Sequence, residues 1–132
     1  MIADANTPPQ GTVRDWLDHR AKTRGPWDAF IFFGGVRALC WRELRDRARE
    51  IARDLTEAGV EKGESIAIML PNGYDVVLTL FGVLYGGFRA TVINLVAGDE
   101  AVGYVLDHSE ARFAFVGPDQ LTQFNRVKPA RL

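Results

Sequence analysis

The sequence has little of several features that mark specialised classes of protein. Its 132 residues contain a single cysteine, Cys40, which excludes an internal disulfide and favours a reducing, cytoplasmic compartment. Sixteen basic residues against seventeen acidic ones leave a formal net charge of -1, so the chain lacks the positive field that attracts nucleic acid or an anionic membrane. The first residues have neither the basic start nor the apolar core of a signal peptide. These absences predict a cytoplasmic protein that binds no nucleic acid.

A long hydrophobic run is also missing. The greasiest stretch, 76–88, is bracketed by Asp75 and Arg89 and is shorter than the roughly 20 residues that cross a bilayer. We expect it to be a helix buried in a soluble core. With 47% hydrophobic and 25% charged residues, the composition predicts one globular domain, which we place at 12–125 between a flexible start (1–11) and a tail (126–132).

The first third of the chain predicts a helix, a hairpin and a second helix. Thr12 can cap a helix that runs to Arg24. Two short strands, at 28–33 and 36–40, flank the Gly34-Gly35 pair, a sequence typical of a tight β-hairpin. From Trp41 to Ala58, apolar residues recur at spacings of three and four, which predicts an amphipathic helix.

The polar face of that second helix carries charges of both signs. A favourable i,i+4 ion pair is expected between Glu43 and Arg47. The face fits either a solvated surface or an anion-binding patch.

Strands and helices alternate over the rest of the chain. The near-continuous apolar run at 65–70 is typical of a strand covered on both faces. Asn72 is predicted to cap the helix that follows it. Further strands are predicted at 89–93 and 112–116, and helices at 72–85, 99–108 and, as a turn or short helix, 118–125. This alternation predicts an α/β fold: a mainly parallel sheet with helices on both faces, preceded by the N-terminal helix and hairpin.

An ordered series of short motifs then suggests a family. The motifs are Trp41, Glu43-Leu44, Gly59-Val60, Lys62-Gly63-Glu64, Leu70-Pro71-Asn72, Gly86-Gly87 and Val92 to Asn94. In this order they resemble the N-terminal region of adenylate-forming enzymes, the acyl-CoA synthetases and their relatives, over roughly residues 12–120. The resemblance implies the N-terminal subdomain of a larger ligase.

The chemistry implied by the resemblance is a two-step ligation. Such enzymes join a carboxylate to AMP with release of pyrophosphate and then pass the acyl group to the thiol of CoA, which implies ATP, Mg and CoA for the full-length family. The family's phosphate loop, ribose-binding Asp and catalytic Lys match no residue of this chain. We therefore assign no catalytic, cofactor-binding or metal residue here, no cofactor to the chain alone, and no acyl substrate.

Three positions depart from the family pattern. Cys40 stands where Ser or Thr usually caps the helix, and sulfur is a weak acceptor. Gly87-Phe88 replaces a common Gly-Ala. Val96 stands near the position where some CoA ligases place a basic residue toward the nucleotide end of CoA, which an apolar side chain cannot replace.

Each of the other candidate sites also has a purely structural interpretation. The lysines Lys22, Lys62 and Lys128 close no glycine-rich loop, and Gly98 to Gly103 fits either a partial phosphate loop or a helix start. His108-Ser109-Glu110 contains three residue types found in catalytic triads, but neighbours in sequence point apart, so a helix end is the alternative.

The remaining candidates are single residues. Asn94 follows a predicted strand, where it could face a ligand or form a turn. His19 is expected to be a surface residue, and Cys40 to be either a reactive thiol or an inert cap.

Two functions of different classes therefore remain open. The first is an N-terminal piece of an acyl-CoA synthetase-like ligase, inactive alone, whose partner is the rest of the ligase or a second copy. The second is a non-catalytic interaction module that self-associates or binds a partner. A flavodoxin-like nucleotide-binding domain is disfavoured, because 70–73 lacks G-x-G-x-x-G. Self-association is expected through an apolar patch at Phe30, Phe32, Val76, Leu80, Leu84 and Phe88.

Overall fold

The structure is a computed structural model that describes residues 10–32 and 37–132. Its elements are α1 (Val13–Arg24), β1 (Asp28–Ile31), β2 (Ala38–Cys40), α2 (Trp41–Glu57), β3 (Ser65–Met69), α3 (Tyr74–Tyr85), β4 (Arg89–Val92), α4 (Asp99–His108), β5 (Phe113–Val116), a 3-10 turn (Pro118–Gln120) and α5 (Leu121–Val127). The predicted α/β class is confirmed, and helix and strand bounds fall within a few residues of those expected.

The sheet is parallel and has β3 at its centre. Its strand order is β4-β3-β5, with Ser65 opposite Arg89 and Ile66 opposite Phe113. Strands β1 and β2 form a separate antiparallel pair, as the hairpin prediction requires. The Gly34-Gly35 turn predicted between them lies outside the described residues.

Helices cover both faces of this sheet. Along β3, side chains alternate between the faces because strand residues point to opposite sides in turn. Ile66 and Ile68 pack with α2 and α3, whereas Ala67 and Met69 pack with α4 and α5. All five residues of β3 are buried, which explains the near-continuous apolar run.

Helix α3 lies between layers, as its all-round apolar sequence predicts. One side packs on the sheet, and the other packs against α1 and α2. Gly82 permits the close approach to α2, since a Cβ there would lie 2.5 Å from Ile51 Cγ2. The exposed apolar patch predicted for self-association is not observed. Phe88 is only 5% exposed, and the other five members of the patch are half-buried: Phe30, Phe32, Val76, Leu80 and Leu84.

Two local predictions about α2 and α3 are wrong. Helix α3 begins at Tyr74, and its N-cap is Gly73, at a φ of 149°, with no side-chain capping bond, so Asn72 does not cap it. Glu43 does not pair with Arg47: its carboxylate accepts a hydrogen bond from the Tyr74 hydroxyl at 2.8 Å, and Arg47 pairs with Glu50 at 3.1 Å. Tertiary contact outweighs the i,i+4 pattern here.

Cys40 caps α2, which is one of the two interpretations its sequence position allowed. Its Sγ accepts a hydrogen bond from the Glu43 N–H at 3.4 Å, and the Glu43 side chain is already engaged with Tyr74. The cap is therefore one-sided. Helix α1 shows the complete version, in which Thr12 and Asp15 bond reciprocally.

The C-terminal residues pack back onto the domain. Helix α5 extends to Val127, beyond the predicted end at 125. The Arg131 guanidinium donates to the carbonyl oxygens of Leu106 at 2.8 Å and Ala111 at 3.0 Å. Those bonds satisfy carbonyls at and beyond the end of α4.

Within residues 10–32 and 37–132, no helix is both long enough and apolar enough to cross a membrane.

Candidate functional site

The carboxyl ends of β3, β4 and β5 meet at one edge of the sheet, which is where α/β proteins commonly bind ligands. Residues 70–73, 93–98 and 117 form the loops at this edge. Asn94 is one of them. Its Oδ1 accepts a hydrogen bond from the Val96 N–H at 3.1 Å, which is the geometry of a turn-forming Asn.

The helix start at Gly98 to Gly103 does not resemble a phosphate cradle. Asp99 lies in the first turn of α4 and accepts hydrogen bonds from Arg126 at 2.9 Å and Gln123 at 3.0 Å. The Arg126 bond is the main cause that lowers the Asp99 pKa to about 2, so this carboxylate is ionised at neutral pH. A negative charge already occupies the helix N-terminus, where it would repel a triphosphate. The helix-start interpretation is confirmed.

Lysine is absent from the loops at the carboxyl edge, all of whose residues the structure describes. Lys22 lies in the last turn of α1, and Lys62 precedes the amino end of β3, where its side chain passes Gly87. Lys128 Nζ donates to the Leu132 carbonyl oxygen at 2.5 Å. The loops at the carboxyl edge therefore offer no lysine side chain to a phosphate group.

His108, Ser109 and Glu110 do not form a triad. The Ser109 hydroxyl donates to the Leu106 carbonyl at 2.9 Å and accepts from the Ala111 N–H at 3.2 Å. The His108 ring stacks on Tyr104, with centroids 5.4 Å apart. Glu110 turns the chain at a φ of 58°. The segment is a helix end, as its alternative interpretation stated.

The other single-residue candidates have local roles. His19 is exposed on α1, and its carbonyl oxygen accepts the Thr23 hydroxyl. Cys40 is the half-buried cap of α2 described above. The part of the chain that the structure describes contains no group of three or more His, Cys, Asp or Glu that could hold a metal ion.

The charged face of α2 borders an open cleft of about 640 Å³ between α1 and α2. Carboxylates match two of its arginines: Arg45 pairs with Asp18 at 3.6 Å and Asp46 at 2.5 Å, and Arg53 pairs with Asp54 at 3.0 Å. The Tyr85 hydroxyl also donates to Asp18 at 2.8 Å, and burial together with that bond raises the Tyr85 pKa. A third arginine, Arg14, donates to the Tyr85 carbonyl oxygen at 3.1 Å. The ion pairs of Arg45 and Arg53 favour the solvated interpretation of the α2 face over anion binding.

The fold and these loops define a class: a parallel α/β unit, preceded by an antiparallel strand pair, whose described carboxyl-edge loops carry no lysine. The sequence model of the AMP-binding enzyme family matches residues 17–131. The chain belongs to that family.

Three relatives illustrate the similarity. The sulfoacetate–CoA ligase of Cupriavidus necator is 32% identical over 82 residues, which are 62% of this chain and 16% of the ligase. Surfactin synthase subunit 2 of Bacillus subtilis is 26% identical over 121 residues, 91% of this chain and 3% of the subunit. The crystal structure of a benzoate CoA ligase from Burkholderia xenovorans LB400 superposes with a TM-score of 0.79 at 25% identity, covering 89% of this chain and 24% of that one. The chain thus spans about a quarter or less of each relative's length.

Proposed function

We propose that this chain supplies the N-terminal subdomain of an AMP-forming acyl-CoA synthetase-like ligase and that the 132-residue polypeptide alone forms no acyl adenylate. The observation that supports this most is the family match over 17–131, combined with the small share of each relative that the chain spans. The family resemblance covers a scaffold rather than a reaction centre.

The lack of lysine in the loops at the carboxyl edge supports the proposal that the chain alone forms no acyl adenylate. Adenylation develops negative charge on transferring phosphoryl oxygens, and enzymes stabilise that charge with lysines, backbone N–H groups and Mg²⁺. The loops at the carboxyl edge of this sheet carry no lysine, and the start of α4 presents the ionised Asp99. ATP, Mg²⁺ and CoA would therefore be bound by residues beyond this chain.

The proposed partner is the remainder of a ligase fold, working in the cytoplasm. Most of each relative's length lies outside the segment that matches this chain. In the full-length family, the family resemblance implies that the unmatched part contains the phosphate loop and the lid. Fatty acids are one acyl class to test, along with the sulfoacetate named by one relative and the benzoate named by another.

A second candidate function is a non-catalytic interaction module. The observation that favours it is the exposed apolar surface near α4, where Val96 is 92% exposed and Tyr104 is 66% exposed. Val96 lies in the loop before α4 and Tyr104 lies on the helix itself. Patches of exposed apolar residues mark protein contacts.

Pyrophosphate release tests the catalytic half of the proposal. The purified chain is incubated with ATP, Mg²⁺ and short, long and aromatic carboxylic acids, sulfoacetate and benzoate included, with the benzoate CoA ligase as the active control. We expect release equal to a protein-free blank. Acid-dependent release above that blank would contradict the proposal.

A chimera tests the structural half. Residues 12–125 replace the matching segment of the sulfoacetate–CoA ligase, and the parent ligase serves as the control. We expect a folded chimera with measurable sulfoacetate-dependent pyrophosphate release, because the exchanged segment is scaffold. A chimera that melts like the parent but releases no pyrophosphate would count against the ligase assignment.

A further inference from the structure

The outer face of α4 is apolar although no other described element packs on it. Tyr104 is 66% exposed and Val105 is 37% exposed, while Val102 and Leu106 on the inner face are buried against the sheet. Gly98, Glu100, Ala101, Tyr104 and Val105 line a shallow groove of about 540 Å³ along it. We call this surface the α4 outer face.

The α4 outer face also carries complementary polar groups at its two ends. Glu100, Tyr104 and His108 follow one another at i, i+4 and i+8, so they form one stripe along the helix. The Tyr104 and His108 rings lie nearly parallel, with an interplanar angle of 9°. The carboxylate at one end accepts hydrogen bonds, and the imidazole at the other end donates one in either protonation state.

Such a stripe is complementary to its own antiparallel copy. A two-fold axis through the middle of α4 would place Tyr104 against Tyr104 of a second copy and Glu100 opposite His108 of that copy. Isologous contacts of this kind close after two subunits. The remaining acids of the helix are already paired, Asp99 with Arg126 and Asp107 with Arg131.

We propose that the α4 outer face is a self-association surface on which a second copy of this chain packs its α4 antiparallel. Helix α4 has 10 residues, so the helix pair is about 15 Å long and buries less than the area of a standard stable interface. The dimer is therefore a weak one in a concentration-dependent equilibrium with monomer. This inference does not depend on the ligase proposal.

Sedimentation velocity across the micromolar range tests the interface. We expect the wild-type mass to rise toward a dimer with concentration, and Tyr104→Asp to weaken association at least tenfold. Ile31→Asp is the matched control, because Ile31 is similarly exposed on β1, outside the α4 face. Circular dichroism and denaturant midpoints establish that each variant is folded.

Charge exchange tests the antiparallel orientation. Glu100→Lys should weaken association, and Glu100→Lys combined with His108→Glu should restore it, because the opposed pair is rebuilt with its polarity reversed. Wild type that stays monomeric at every concentration overturns the proposal and leaves the face for the rest of a ligase. Association that Ile31→Asp abolishes and Tyr104→Asp leaves intact overturns it as well.

Discussion

The two faces of the parallel sheet are covered to different depths. On the face of Ile66 and Ile68, α3 packs on the sheet, and α1 and α2 then pack on α3. On the face of Ala67 and Met69, α4 and α5 form one layer, with no described element outside it. Apolar side chains that a helix turns away from the sheet are therefore covered on the first face and exposed to solvent on the second.

The position of a helix among these layers determines whether its apolar side chains are buried. Helix α3 is apolar almost all round, and two layers within this chain take up that surface. Helix α4 is less apolar in sequence, yet it exposes Tyr104 and Val105 because its outer side has no second layer. The depth of packing, rather than helix hydrophobicity, determines where exposed apolar surface remains.

The largest effect is expected on the sheet-facing side of α4, in the single layer that α4 and α5 form and that we call the thin layer. Leu106→Ala should lower the free energy of unfolding by about 2–5 kcal/mol, because a fully buried side chain leaves a cavity. The neighbouring Val105→Ala should cost less than about 1 kcal/mol, since Val105 already meets solvent. Urea midpoints measure both. Equal losses would mean that the outer side of α4 is as packed as the inner side.

Two helix glycines compare packing depth more directly. Gly82→Ala should destabilise the fold by about 1–3 kcal/mol, because the new Cβ would lie 2.5 Å from Ile51 Cγ2 and 2.6 Å from its branched Cβ. Gly103→Ala on α4 meets Val127 at an ordinary 3.5 Å and should stabilise by up to about 1 kcal/mol through helix propensity. Thermal midpoints that fall for both variants would contradict the contrast.

A pH titration tests the ion pair that joins α4 to α5 in the thin layer. Asp99 joins α4 to Arg126 of α5, and its folded pKa of about 2 lies below the ordinary 3.8. Its ionised form therefore stabilises the fold above about pH 4, and that contribution fades as the pH falls toward 2. The gap in unfolding midpoint between wild type and Asp99→Asn should narrow over this range.

The size of that gap should be modest, because both partners of the ion pair are about half exposed. Asp119→Asn is the control, since Asp119 has no ion pair among the described residues and its replacement removes none. A gap for Asp99→Asn that widens on acidification would show that the Arg126 contact does not hold in solution.

The smallest effect is expected at the start of α2, on the side of the sheet that two layers of helices cover. Cys40→Thr should leave stability unchanged or raise it by up to about 1 kcal/mol, because a hydroxyl accepts the Glu43 N–H bond better than sulfur does. Asn72→Ala, which removes a side chain that caps no helix, should stay within about 0.5 kcal/mol. A large loss on Cys40→Thr would show that the thiol is packed rather than capping.

Sequence patterns were sufficient for the elements and the sheet. The 3.6-residue spacing of α2, the apolar run of β3 and the alternation of strands with helices are local or regular signals, and each predicted its element. The predicted cap of α3 was wrong because the start of that helix depends on the backbone angle φ of Gly73. The predicted partner of Glu43 was wrong because Tyr74, which is distant in sequence, lies beside it in the fold. Local sequence patterns do not specify either feature.

The candidate surface was harder to predict than the fold. Tyr104 and Val105 sit in a helix whose sequence looks ordinary, and only the stacking of elements reveals that nothing described covers them. The sequence instead pointed to 76–88, where the apolar density is highest. Apolar density indicates burial, whereas exposure depends on which layers the topology supplies.

The central position of β3 also sets a timetable for synthesis on the ribosome. Ile66 pairs with Ala90 and Phe113, which emerge 24 and 47 residues later. At about 5–20 residues per second, the fully buried strand β3 waits roughly 1–5 s for its first neighbour and roughly 2–9 s for its second. Helices α1 and α2 and strands β1 and β2 precede β3 in the chain and contact one another, so they can form during that wait. Nascent chains that end between β3 and β5 therefore expose the apolar side chains of β3 until both neighbouring strands have emerged.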